Sequence, residues 1–258
     1  MRFGRGFAPV WLALLACVPL ACGVRPQEQP VELVVAAAAS LKDVMAVIAR
    51  DYRKQQPGVR LRFNFASSGT LQRQIEQGAP VDVFIAAADE NMNELAARNL
   101  IAKKTRRVLA ENGLVLIVPR HSRLAMRRFN DVAADVVAQV AVGGPGVPAG
   151  VRAEEVFMRL GIWAAVRRKA VRGKDVREVL THVELGNVEA GVVYRTDAAV
   201  SDRVRIAAVA PASLHQPIRY PVAIVTDSEH PAQARAFVNY LASSQAKAVL
   251  RRYKFIVK

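Results

Sequence analysis

Cysteine is nearly missing from this chain, and its two copies, Cys17 and Cys22, both fall in the first 22 of 258 residues. From Gly23 onward no thiol is available to form a disulfide or hold a metal, so the body of the protein folds without either staple. Histidine is scarce as well: His121, His182, His215 and His230 stand far apart and form no H-E-x-x-H zinc pattern. No G-x-S-x-G nucleophile elbow occurs. The one long apolar run, Phe7 to Ala21, is too short for a permanent membrane-crossing helix. Aromatic residues make up only 6%, and none alternates with basic residues as a base-stacking platform requires. Internal repeats and low-complexity segments are absent. These gaps speak against an exported hydrolase, a nucleic-acid partner and a membrane-embedded protein.

What is present begins with an address. Arg2 and Arg5, the apolar run and then Cys22-Gly23 make residues 1–23 a secretion signal. Pro19-Leu20-Ala21-Cys22 matches a lipoprotein signal, in which Cys22 carries a lipid tether. Cleavage after Gly23 is the other reading and leaves a soluble protein. The formal charge is +15, or +13 once Arg2 and Arg5 are removed. Its basic residues come in small groups such as Lys103-Lys104, Arg127-Arg128 and Arg251-Arg252, scattered over predicted helix surfaces. That pattern reads as a solvated basic surface, with weak steering of anions or contact with a membrane surface as its functional version.

Hydrophobic residues reach 52%, enough for sizeable cores in one or two domains. From Val31 onward, short β-branched runs alternate with amphipathic stretches, the pattern of an α/β protein. Strands are expected at 31–37, 61–65, 81–86, 114–119, 137–142, 190–194 and 218–226. Helices are expected from Ser40, after Thr70, from Asp89, around Val156–Leu160, from Asp175, and from Pro231 on toward Leu250. The layout predicts two lobes, 31–113 plus 222–258 and 119–215, with hinge strands near 114–119 and 216–222.

Five segments end in small or hydroxyl residues where a strand turns into a helix: AAAASLKD (36–43), FASSGTL (65–71), DVFIAAAD (82–89), GKDVREVL (173–180) and GVVYRTDA (191–198). Open α/β sheets bind ligands at such places, and backbone N–H groups with hydroxyls hold an oxyanion without a countercharge. Taken singly each segment has a plainer reading. Ser40 with Asp43 fits a capping box, and Ser67 or Ser68 fits a helix cap. Val176 suits a core face, and Tyr194 suits a buried strand end.

In order and spacing these segments resemble the periplasmic molybdate-binding proteins of ABC transporters. The similarity runs over about residues 32–255 and includes the stretches at 73–80, 141–150, 175–177 and 192–198. The resemblance implies a two-lobe periplasmic binding protein fold of type II, each lobe a mixed sheet flanked by helices, joined by a two-strand hinge. It also implies a monomer that captures molybdate, and tungstate with it, between the lobes and delivers it to an ABC permease. Neither cofactor nor catalysis is implied. Carried over by motif, the ligand-binding groups are the hydroxyls of Ser40, Ser68 and Tyr194 and the amides at Ala87 and Val176. They reach the metal-centred anion through hydrogen bonds, not by coordinating the metal. Asp89 falls one place later than in the family's pattern, which leaves Ala88 as the other candidate for that amide. Another oxyanion such as sulfate, or an iron complex, is the alternative ligand; an exported enzyme is the alternative class.

Overall fold

The computed structural model describes residues 30–258 together with Met1 and Gly4. The secretion signal and the lipid tether at Cys22 lie outside the described residues.

Two five-stranded mixed sheets carry the fold. In the first, β1 (Val31–Ala38) pairs in parallel with β2 (Val59–Ala66) and with β3 (Val83–Ile85). Next come β10 (Ile218–Ile224) and β4 (Arg107–Asn112), both antiparallel. The second sheet repeats this plan. Its β6 (Val140–Gly143) pairs in parallel with β7 (Ala170–Gly173) and β8 (Ala190–Tyr194), followed by antiparallel β5 (Leu114–Pro119) and β9 (Val204–Val209). The second sheet is thus one continuous stretch of chain, whereas the first takes β10 from beyond it. The chain crosses at Gly113 and returns between Val209 and Ile218, so β5 and β10, which overlap the hinge ranges expected at 114–119 and 216–222, flank the crossings and each pairs within a single sheet.

Helices cover both sheets, and α1 (Lys42–Gln55), α2 (Ser68–Glu76), α3 (Asp89–Ala97), α4 (Pro148–Arg159) and α6 (Val176–Glu184) begin beside the C-terminal ends of the parallel strands, with the short α5 (Trp163–Arg168) between α4 and β7. The buried stripe Val44, Met45, Ile48 and Tyr52 of α1 has helical spacing, and Tyr52 meets Phe237 and Tyr240 at ring-centroid distances of 5.2 and 5.0 Å.

Local expectations changed in five places. Ser40 does not cap α1: it sits inside a 3-10 turn, Ala39–Leu41, and the helix starts at Lys42. Asp89 is the first residue of α3, not its cap, and its carboxylate pairs with Arg106 at 2.9 Å. The strand expected over 81–86 narrows to Val83–Ile85. The C-terminal helix is two helices, α8 (Pro231–Leu241) and α9 (Ser244–Arg252), because the Ser243 hydroxyl caps a new start. Finally, β4, β7 and β9 were not expected from the sequence. Each lies at a sheet edge and mixes arginine with half-exposed positions, which blurs the apolar signal.

The Gly143–Gly150 turn has a steric reason. A Cβ on Gly150 would stand 2.2 Å from the Gly143 carbonyl oxygen, which cannot move aside. Gly150→Ala is therefore expected to cost about 1–3 kcal/mol of overpacking. Gly58→Ala, where nothing lies within 4 Å, should stay within about 0.5 kcal/mol of the parent. Urea unfolding of the two variants checks the contrast.

Candidate functional site

One small cavity collects residues from both sheets. Its wall is made by Ala38–Ser40, Ala66–Ser68, Ala87, Val147–Ala149, Asp175–Val176 and Tyr194. About 10 Å³ is open to the centre of a water-sized sphere, room for one compact group and not for a chain or ring of atoms. Ser40, Ser68, Ala87, Val176 and Tyr194 all line it, and all are buried. Ala88 does not; it borders a neighbouring cavity.

The two serines of the FASS segment divide the work. The Ser67 hydroxyl caps α2 by accepting from the Thr70 N–H at 3.2 Å. Ser68, one residue on, accepts from the Ala87 N–H at 2.9 Å and keeps its own proton free to donate. The Ala87 amide is thus already used inside the protein.

Ser40 is oriented by a relay that the sequence reading missed. Asn112 Nδ2 donates to the Tyr220 hydroxyl at 3.1 Å, and that hydroxyl lies 2.9 Å from Ser40 Oγ. Burial pushes the Tyr220 phenol far above its usual range, so it stays protonated and can donate to Ser40 Oγ. The Ser40 proton is then left for a ligand. The only hint in the sequence was an Asn next to Gly113 and a Tyr in the strand expected over 218–226.

Backbone donors complete the set. The Asp175 carboxylate caps α6 by accepting from the Arg177 and Glu178 N–H groups. The Val176 N–H has no protein acceptor among the described residues, as expected at a first helical position. Ala149 was not predicted, yet its position is equivalent. Pro148 opens α4 and has no N–H, while the Gly150 and Val151 amides turn back to the Val147 carbonyl. The Ala149 N–H is left unpaired among the described residues. The available sequence signal was the Pro at the first helical position.

No cationic side chain lines the cavity among the described residues. Its positive potential comes from the starts of α2, α4 and α6, each worth about half a charge. The Tyr194 hydroxyl is fully buried and has no hydrogen-bond partner among the described residues. Burial, reinforced by Tyr220 and Asp197, holds its pKa well above the ordinary phenol value. It is therefore a neutral donor awaiting an acceptor, and such orphans are rare unless function requires them.

Contacts across the cleft show the two halves closed on each other. The Gly69 N–H donates to the Gly146 carbonyl at 3.0 Å. Arg152 joins Glu90, and Arg177 joins Asp43. Arg177 Nε also comes within 2.8 Å of Asp197 Oδ1, as an ion pair without hydrogen-bond alignment.

Comparison with known proteins fits this geometry. The model for bacterial extracellular solute-binding proteins matches residues 33–256. The chain belongs to that family. It is 42% identical to the molybdate-binding protein ModA of Haemophilus influenzae over 88% of this chain and 91% of that one. To ModA of Escherichia coli K12 it is 37% identical, over 96% and 98%. The periplasmic molybdate-binding protein of Azotobacter vinelandii superposes with a TM-score of 0.80 at 20% identity, covering 88% and 99%, which shows the shared fold. Among the described residues of this solute-binding chain, no helix is long and apolar enough to cross a membrane.

Asp197, in the short helix α7 (Arg195–Ala199) after Tyr194, has a pKa raised to about 6. Burial is the main cause; Arg177 opposes it, and Asp43 and Asp175 add repulsion. The unfolded chain releases this proton near 3.8, while the native chain keeps it until about 6. Asp197 therefore removes stability as pH rises through that window, by roughly 2–3 kcal/mol. Asp197→Asn should gain on the parent between pH 4 and pH 7 in urea unfolding; a parent–variant difference equal at both pH values would contradict the assignment.

Proposed function

We propose that this chain is the solute-binding component of a molybdate ABC importer, working outside the cytoplasm and handing its ligand to a membrane permease. The Tyr194 hydroxyl, without a partner among the described residues and set in a closed cavity that none of their cationic side chains lines, is the observation that carries the reading. The relatives named for molybdate binding support the choice of anion. A single tetrahedral dianion accepts from the hydroxyls of Ser40, Ser68 and Tyr194 and from the amides of Val176 and Ala149. Ala149 takes the place first given to Ala87, whose N–H serves Ser68. Every one of these groups donates, which suits a fully ionised oxyanion and disfavours one that carries a proton at neutral pH.

Selection then follows from reach. Sulfate has the same charge but is smaller, and a cage of fixed donors cannot all close on it. Tungstate has the size of molybdate and is bound with it. The two lobes, 31–113 plus 222–258 and 119–215, close on the anion because it makes contacts to both that neither makes alone. The closed monomer then docks on the permease.

Calorimetric titration of the mature chain with molybdate, tungstate, sulfate and phosphate at one salt concentration tests this. One-to-one binding of the first two with sulfate weak is the expected result; heat with sulfate or phosphate alone would replace the ligand. Tyr194→Phe separates binding from folding. It removes an unpaired buried hydroxyl, so stability should hold or rise, while affinity falls roughly 10- to 150-fold, the worth of one hydrogen bond to a charged acceptor. Gly69→Ala is expected to weaken molybdate binding about tenfold or more with the fold retained, since a Cβ there would stand 2.6 Å from the Gly146 oxygen and wedge the lobes apart.

A further inference from the structure

Two ion pairs cross between the lobes, and every member stands one to three residues after one that lines the anion cavity. Glu90, three residues after Ala87, meets Arg152, three residues after Ala149. Asp43, three residues after Ser40, meets Arg177, the residue after Val176. In both pairs the carboxylate belongs to the first lobe and the guanidinium to the second. A separate cavity of about 120 Å³, bordered by Ala88, Glu90, Pro148 and Arg152, shares Pro148 with the anion cavity and puts the Arg152–Glu90 pair at its side.

Opening the lobes breaks both pairs unequally. Arg152 keeps Glu155, and Arg177 keeps Asp197, each on its own lobe. Glu90 and Asp43 have no other ion-pair partner among the described residues. The open first lobe therefore presents two bare carboxylates at the rim of its half of the site. The second lobe keeps its cations partly compensated beside the free amides of Ala149 and Val176. At physiological salt, charges act over about 8 Å, which is enough to turn an approaching dianion from one face toward the other.

We propose that the anion docks first on the second lobe, and that Glu90 and Asp43 are positioning residues that impose this order. They hold the anion off the first lobe while the cleft is open, and latch that lobe onto Arg152 and Arg177 once it closes. The proposal rests on the oxyanion-binding reading above. It predicts a kinetic signature, because a carboxylate that repels the ligand in the open state and clamps the closed state slows both association and release.

The test is stopped-flow binding of molybdate to the parent and to Glu90→Gln with Asp43→Asn, across a salt series. Both carboxylates are well exposed, with 56% and 42% of their side-chain surface accessible, so the variants fold. At low salt, association and release should each speed up about two- to fivefold per pair, with the variant-to-parent ratio of association rates falling toward one as salt rises. Faster release with an association-rate ratio of one at every salt concentration would overturn the ordering. Small-angle scattering of the ligand-free proteins is the second readout, with the double variant expected to be more open than the parent. A parent that ignores molybdate would overturn the molybdate reading, whereas equal scattering from parent and variant would overturn the latch.

Discussion

An anion taken out of water has to be met by donors already fixed in place, and on the proposed reading the rest of this structure follows from supplying them with no cationic side chain among the described residues that line the cavity. Unpaired N–H groups at helix starts are such donors, but only if several helices begin at one point. Two sheets with the same strand order, each with its parallel strands ending at the cleft, bring that about. The duplicated topology leaves no trace in the sequence, because strand order is set by which edges pair and not by matching side chains.

Having the donors converge is not sufficient, since each helix start also needs capping. The chain divides these duties between neighbours. Ser67 and Asp175 take the caps, leaving Ser68 and Val176 for the cavity. Pro148 removes one N–H from the first turn of α4 and leaves the next one free. Ser40 is freed by the longer route through Tyr220 and Asn112. Tyr194 and Tyr220, one from each sheet, meet edge to face at 6.1 Å, so a residue that lines the cavity is also a contact between the lobes.

What could be read from the sequence was largely what side chains announce. The α/β alternation, the cap at Asp175 and the helix start at Pro231 are carried by residue types with strong local preferences. Ser40, Ser68, Val176 and Tyr194 stand in motifs and arrive in one cavity. The amide donor was harder to place, because a backbone N–H has no residue type of its own. Ala87 lines the cavity, yet whether its N–H is free depends on Ser68, nineteen positions away. The edge strands β4 and β9 were hidden for a related reason: with arginine or glutamate on a half-exposed face, only their partners reveal them.

That no cationic side chain among the described residues lines the cavity, in a chain of net charge +15, has a physical logic. A guanidinium or ammonium touching the ligand would attract every dianion alike, since a point charge falls off slowly with distance. Hydrogen bonds from fixed hydroxyls and amides weaken steeply once the acceptor is a fraction of an ångström out of place. Affinity made from them therefore carries size selection with it. Arg152 and Arg177 stand outside this cage, tied to carboxylates. On the proposed reading the cavity decides which anion is held, and the paired charges beside it bear on when the lobes shut without blurring that selection.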